Sequence, residues 1–104
     1  MTRKENVEIV KVIMSELLIS ILEEHKKINK NLPKNERALN DSYDKIFYDS
    51  GLRKATISDM KNGKSDFAFS TLITILNSLG YSLSDFAIKF DEKYKNYIKE
   101  KWPD

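Results

Sequence analysis

Val7, Val10, Met14, Leu17, Ile21 and Ile28 recur at spacings of 3, 4, 3, 4 and 7. That period places them on one stripe of an α-helix running from about Glu5 to about Asn29. Ile9 and Ile13 widen the stripe on one side and Leu18 and Leu22 on the other, while Val12 and Ile19 lie nearly opposite it. A helix that is apolar on a second face usually has a second partner. The period stops at Lys30, and the stretch to Asn40 holds Pro33 among Asn31, Asn35 and Asn40. This pattern predicts a polar, basic and mobile connection.

Past the connection, Asn40, Asp41 or Ser42 offers an N-cap to a short helix that buries Ile46 and Phe47 and stops at Ser50 and Gly51. Leu52 follows as an apolar peg. Ile57 and Met60 mark the inner side of a second short helix, Lys54 to Lys61, ended by Asn62 and Gly63. After a connecting loop, Lys64 to Ala68, a third helix carries Phe69, Leu72, Ile73, Leu76 and Leu79 up to Gly80. Ser82 and Asp85 form a capping pair for a further helix with Leu83, Phe86 and Phe90. Tyr94, Tyr97, Ile98 and Trp102 then continue at helical spacing among Lys and Glu, so no strand is needed and the fold class is all-α.

Composition narrows the function. The chain has 104 residues, with 18 Lys or Arg against 16 Asp or Glu, one His and no Cys. A single small domain of this kind is cramped for a deep substrate pocket with a cofactor beside it, so binding is expected, with no enzyme activity and no cofactor. Without cysteine there is no disulfide framework, thiolate metal site or cysteine nucleophile, and a reducing, cytoplasmic location is expected. Arg3, Lys4, Glu5 and Glu8 do not fit a signal peptide, and the apolar run Ile9 to Leu22 is only 14 residues long and broken by Lys11, Ser15 and Glu16. No membrane association is expected. The net charge of +2 is small, but it is concentrated. Lys26 to Arg37 has five basic residues against Glu36, and Arg53 to Lys64 has four against Asp59. A solvated face explains such windows as well as a ligand does.

The residues of the second window, with their neighbours, carry a resemblance. Ser50-Gly51-Leu52-Arg53-Lys54-Ala55-Thr56-Ile57-Ser58-Asp59-Met60-Lys61-Asn62-Gly63-Lys64, followed by Thr71-Leu72 and Leu79-Gly80-Tyr81-Ser82-Leu83-Ser84-Asp85-Phe86, resembles the helix-turn-helix of the Cro and phage-repressor type, the Xre family. The resemblance covers about Ser42 to Phe86. It implies a lambda-repressor-like bundle of about five helices in one domain over 1–104. The parts are an N-terminal helix 1–30, a polar loop 31–41, a helix-turn-helix core 42–86 and a C-terminal extension 87–104. It also implies that Lys54 to Lys61 is a recognition helix in the major groove, with the preceding helix across the phosphate backbone.

By the same resemblance, Lys54, Ala55 and Asp59 occupy base-reading positions. Lys54 would donate to guanine, Ala55 would touch a thymine methyl and Asp59 would accept from cytosine N4. Helix geometry adds Ser58 and Asn62, which point away from a core side defined by Ile57 and Met60. Ser42, Tyr43, Arg53, Asn62 and Lys64 are the implied phosphate contacts; for Asn62, a plain helix stop is an equal alternative. Phe47 stands where the family usually has a small residue, Tyr43 where glutamine is common, and Arg53 replaces the usual cap serine.

His25 extends the first helix's stripe and is expected at the boundary of the core; with no Cys and no second His it makes no metal site. Glu23 and Glu24 are adjacent and diverge on a helix, which is poor geometry for acid/base work. The expected function is therefore a DNA-binding transcription regulator, a repressor, acting as a homodimer on double-stranded DNA. The alternative is a protein-interaction module, such as an antitoxin or accessory factor, that uses the first helix or the aromatic tail. Either Ile9, Val12 and Ile19 or Tyr94, Tyr97, Ile98 and Trp102 would form the dimer surface, unless the two regions cover one another within one chain.

Overall fold

The computed structural model describes residues 1–64, 66 and 68–101. It is helical throughout, with α1 at Arg3–Lys30, α2 at Tyr43–Ser50, α3 at Lys54–Lys61, α4 at Phe69–Leu79 and α5 at Leu83–Lys101. No strand occurs among the described residues. None of the helices is long and apolar enough to cross a membrane.

A capping box opens α1. Thr2 accepts from the Glu5 amide and the Glu5 carboxylate accepts from the Thr2 amide, which satisfies donors that a helix start leaves orphaned. The hydrogen bonds from Thr2 hold the Glu5 carboxyl below its usual value. The buried arc of α1 comprises Ile9, Ile13, Met14, Leu17, Leu18, Ile21 and Leu22. The residues that widened the predicted stripe are thus among the deepest, whereas Ile28 is 42% exposed. Ile46 of α2, Ile57 and Met60 of α3, Ile75, Leu76 and Leu79 of α4 and Phe86 of α5 complete one core with α1. Both α3 and α5 pack on α1, and α4 packs on α2.

Two sequence expectations need correction. The connection after α1 is not loose at its far end, because α1 and α4 both tie it down. His25 is buried, and its Nδ1–H donates to the Asn40 carbonyl at 2.7 Å. Asn29 Nδ2 donates to the Leu39 carbonyl and the Asp41 carboxylate, and Asn40 Nδ2 donates to the Ser78 carbonyl at 2.6 Å. A single 3-10 turn, Lys34–Glu36, interrupts the rest. The aromatic tail is no separate extension, since α5 runs unbroken from Leu83 to Lys101. It is turned inward as well: Tyr94 donates to Asn6 at 2.6 Å and Tyr97 to Glu16 at 2.8 Å. Two regions offered as dimer surfaces therefore cover one another in part, although Val12 and Ile19 each stay 39% exposed and Trp102 lies outside the described residues.

Candidate nucleic-acid interface

The helix pair α2 and α3 is built by local rules. Ser42 caps α2 by accepting from the Lys45 amide, and Gly51 ends it at φ 72°, the left-handed region open to glycine. The Ser50 hydroxyl accepts from the Leu52 amide, and Leu52 packs against the core. Arg53 precedes α3 in an extended conformation without a side-chain cap. At the other end, the Lys64 amide donates to the Asp59 carbonyl and the Gly63 amide to the Met60 carbonyl. Gly63 stands at φ 68°, and a Cβ there would lie 3.8 Å from Ser15 Cβ. The Ser15 hydroxyl donates to the Lys61 carbonyl at 2.5 Å, so the end of α3 is fastened to the middle of α1.

With Ile57 and Met60 buried, the outer surface of α3 divides into two flanks. Ala55, Ser58, Asp59 and Asn62 are all exposed, and Ala55, Asp59 and Asn62 follow one another at helical spacing along the outward flank. Lys54, Ser58 and Lys61 instead line a cleft of about 200 Å³ against Tyr43, Asp44 and Phe47 of α2. Lys54 Nζ lies 5.0 Å from the centre of the Phe47 ring, and Lys61 Nζ lies 5.3 Å from that of Tyr43. Both distances are within cation–π range. Lys54 is thereby drawn back toward α2, away from the outward flank on which the resemblance placed it.

The implied phosphate contacts fare unevenly. Arg53, Asn62 and Lys64 are exposed at the two ends of α3, while Ser42 is half-buried with its hydroxyl engaged as a cap. Tyr43 does not stand as expected: its hydroxyl is buried without a hydrogen-bond partner among the described residues, and burial raises its pKa above the usual tyrosine value. Lys61 and Phe47 were not singled out as site residues. Their signal was the coincidence of a seven-residue spacing on α3 with a four-residue spacing on α2, which brings two cations opposite two rings.

A second concave surface lies where α1, α4 and α5 meet. It encloses about 700 Å³ and is lined mainly by apolar side chains, among them Val10, Met14, Leu72 and Phe86. Phe69 and Ile88 on its rim are 63% and 61% exposed. Among the described residues, no group of three or more His, Asp or Glu is placed to hold a metal ion. No family model matches the chain, and no curated protein or solved structure is significantly similar to it.

Proposed function

We propose that this chain is a sequence-specific DNA-binding regulator of transcription, most simply a repressor, that places α3 in the major groove and works as a homodimer on an inverted repeat. One observation carries the reading. Two eight-residue helices joined through Gly51 to Arg53 present an outward row of short polar and small side chains on the second helix, while its inner row is locked into the core. A major groove about 12 Å wide admits such a helix, and side chains the size of Ala55 and Asp59 on that row, with Ser58 exposed at the edge of the α2 cleft, allow close approach to base edges. Asn62 closes that row, and Arg53 and Lys64 lie beyond its two ends, where backbone phosphates run.

The proposed role for Asp59 is to accept from cytosine N4, and that for Ala55 is to meet a thymine methyl. A weakly basic domain gains little from phosphate neutralisation, and one module reaches about one half-site. Two copies with recognition helices ~34 Å apart supply the missing affinity. With Tyr94 and Tyr97 engaged on α1, the proposed seat for the second copy is the α1, α4 and α5 cleft, whose rim residues Phe69 and Ile88 are more exposed than Val12 and Ile19. The alternative of an interaction module loses much of the aromatic tail on which it relied. Selection of bound sites from random duplex DNA tests the reading: a palindromic consensus is expected, and failure to enrich any duplex at low salt refutes it.

A further inference from the structure

We infer that Lys54 and Lys61 form a paired phosphate grip, and that Phe47 and Tyr43 are the positioning residues that hold the two ammoniums ready for it. The inference rests on the DNA-binding reading and assigns Lys54 to the backbone in place of a base edge. Seven residues separate the two lysines on α3, which puts them ~10.5 Å apart along the axis and within about 20° of one another around it. On α2 the two rings lie four residues apart, on one face. The flank thus pairs the start of α3 with the middle of α2 and the end of α3 with the start of α2.

A free lysine loses much rotamer freedom when it is fixed against a phosphate. A ring beneath the ammonium removes part of that loss in advance, because it holds the long stem in one region while occupying only one side of a group that has three donors. Both lysines are exposed, and among the described residues no carboxylate lies within ion-pair distance of either. The outward donors are therefore available. Neither lysine points along the row of Ala55, Asp59 and Asn62, which fits contact with a strand beside the groove better than contact with its floor.

The test measures affinity against salt for the full chain, on a duplex from the random-pool selection and on a scrambled duplex of equal length. Lys54→Gln and Lys61→Gln should each weaken binding to both duplexes alike and flatten the slope of log affinity against log salt by about 1. Phe47→Leu, checked for wild-type helicity, should lower affinity roughly two- to five-fold with the slope unchanged, since the phosphate contact still forms once the lysine is ordered. In the free protein, the side-chain methylene protons of Lys54 should be shifted upfield by the Phe47 ring current and return to ordinary positions in Phe47→Leu. Wild-type slopes in both lysine variants overturn the inference while leaving DNA binding intact. So does a loss of preference at one base pair in Lys54→Gln with the slope retained, which would make Lys54 a base reader. Absence of binding by the wild-type chain to any duplex overturns both readings.

Discussion

Replacing Ser15 with Ala tests the joint between α1 and the proposed recognition helix. Ser15 is 9% exposed, and its hydroxyl donates to the Lys61 carbonyl at 2.5 Å. That carbonyl belongs to the last turn of α3, where no intrahelical donor is available to it. Losing the bond costs about 0.5–1.5 kcal/mol, toward the lower half because Lys61 is exposed and water reaches its end of the helix. Alanine also returns a few tenths, ~0.4 kcal/mol, through its better helix propensity. Ser20→Ala, at an exposed position of the same helix, receives only that propensity gain. The difference between the two variants isolates the bond at about 0.7 kcal/mol, or about 3 °C in melting temperature for a chain of this length. Ser15→Val should be worse than Ser15→Ala despite its greater apolar area, because it loses the same bond and its β-branched side chain costs more in a helix. Urea unfolding followed by circular dichroism measures all three. Equal stability of the two alanine variants, or Ser15→Val above Ser15→Ala, would refute the joint.

Four further outcomes are expected. Gly63→Ala should lose about 1 kcal/mol from its positive φ, since the Cβ contacts at 3.8–3.9 Å are ordinary; an unchanged thermal melt contradicts this. The Asp41 carboxyl is held below its usual 3.8 by donation from Asn29 and by Lys45, so its contribution is full above that value and lost as pH falls through the lower folded value. Asp41→Asn should flatten the acid limb of urea midpoints against pH, and an unaltered limb would count against it. Asp59→Asn should lose discrimination at one base pair of the selected site, whereas a uniform rise in affinity on all duplexes would show that the carboxylate only repels DNA. Ile88→Asp, on the rim of the large apolar cleft, should convert a dimer to a folded monomer in sedimentation; a wild-type chain that is already monomeric at tens of micromolar removes the proposed interface.

Much of the fold was legible because it is written in local signals. The apolar period of α1, the glycine stops at Gly51, Gly63 and Gly80, and the Ser82 hydroxyl accepting from the Asp85 amide all appear where spacing and cap chemistry put them. What escaped notice depends on contacts between distant residues. His25 and Asn29 look like polar interruptions of an apolar arc, and only the returning chain at Leu39 to Asp41 makes them anchors. Tyr94 and Tyr97 have the spacing of any amphipathic helix, and nothing local says that Asn6 and Glu16 will accept from them. At the candidate site, the outward positions of Ala55 and Asp59 followed from helix geometry, whereas Ser58 is exposed but lines the cleft against α2. The direction of Lys54 did not, because a flexible stem is placed by the ring opposite it.

The seating of α5 on α1 has a consequence for how the chain is made. Its side-chain hydrogen bonds join residues 77, 81 and 88 positions apart, nearly the two ends of the sequence. At 5–20 residues per second, the ribosome needs roughly 4 to 18 s after finishing this part of α1 before the matching turns of α5 exist. Through that interval the buried arc of α1, which includes Ile13, Leu17 and Ile21, lacks α5, one of the helices that pack on α1. Such long loop closures also slow folding relative to bundles whose neighbouring helices pair in order. Newly made chains therefore pass through a stage with apolar surface open to one another, and slower elongation over the last helix lengthens it.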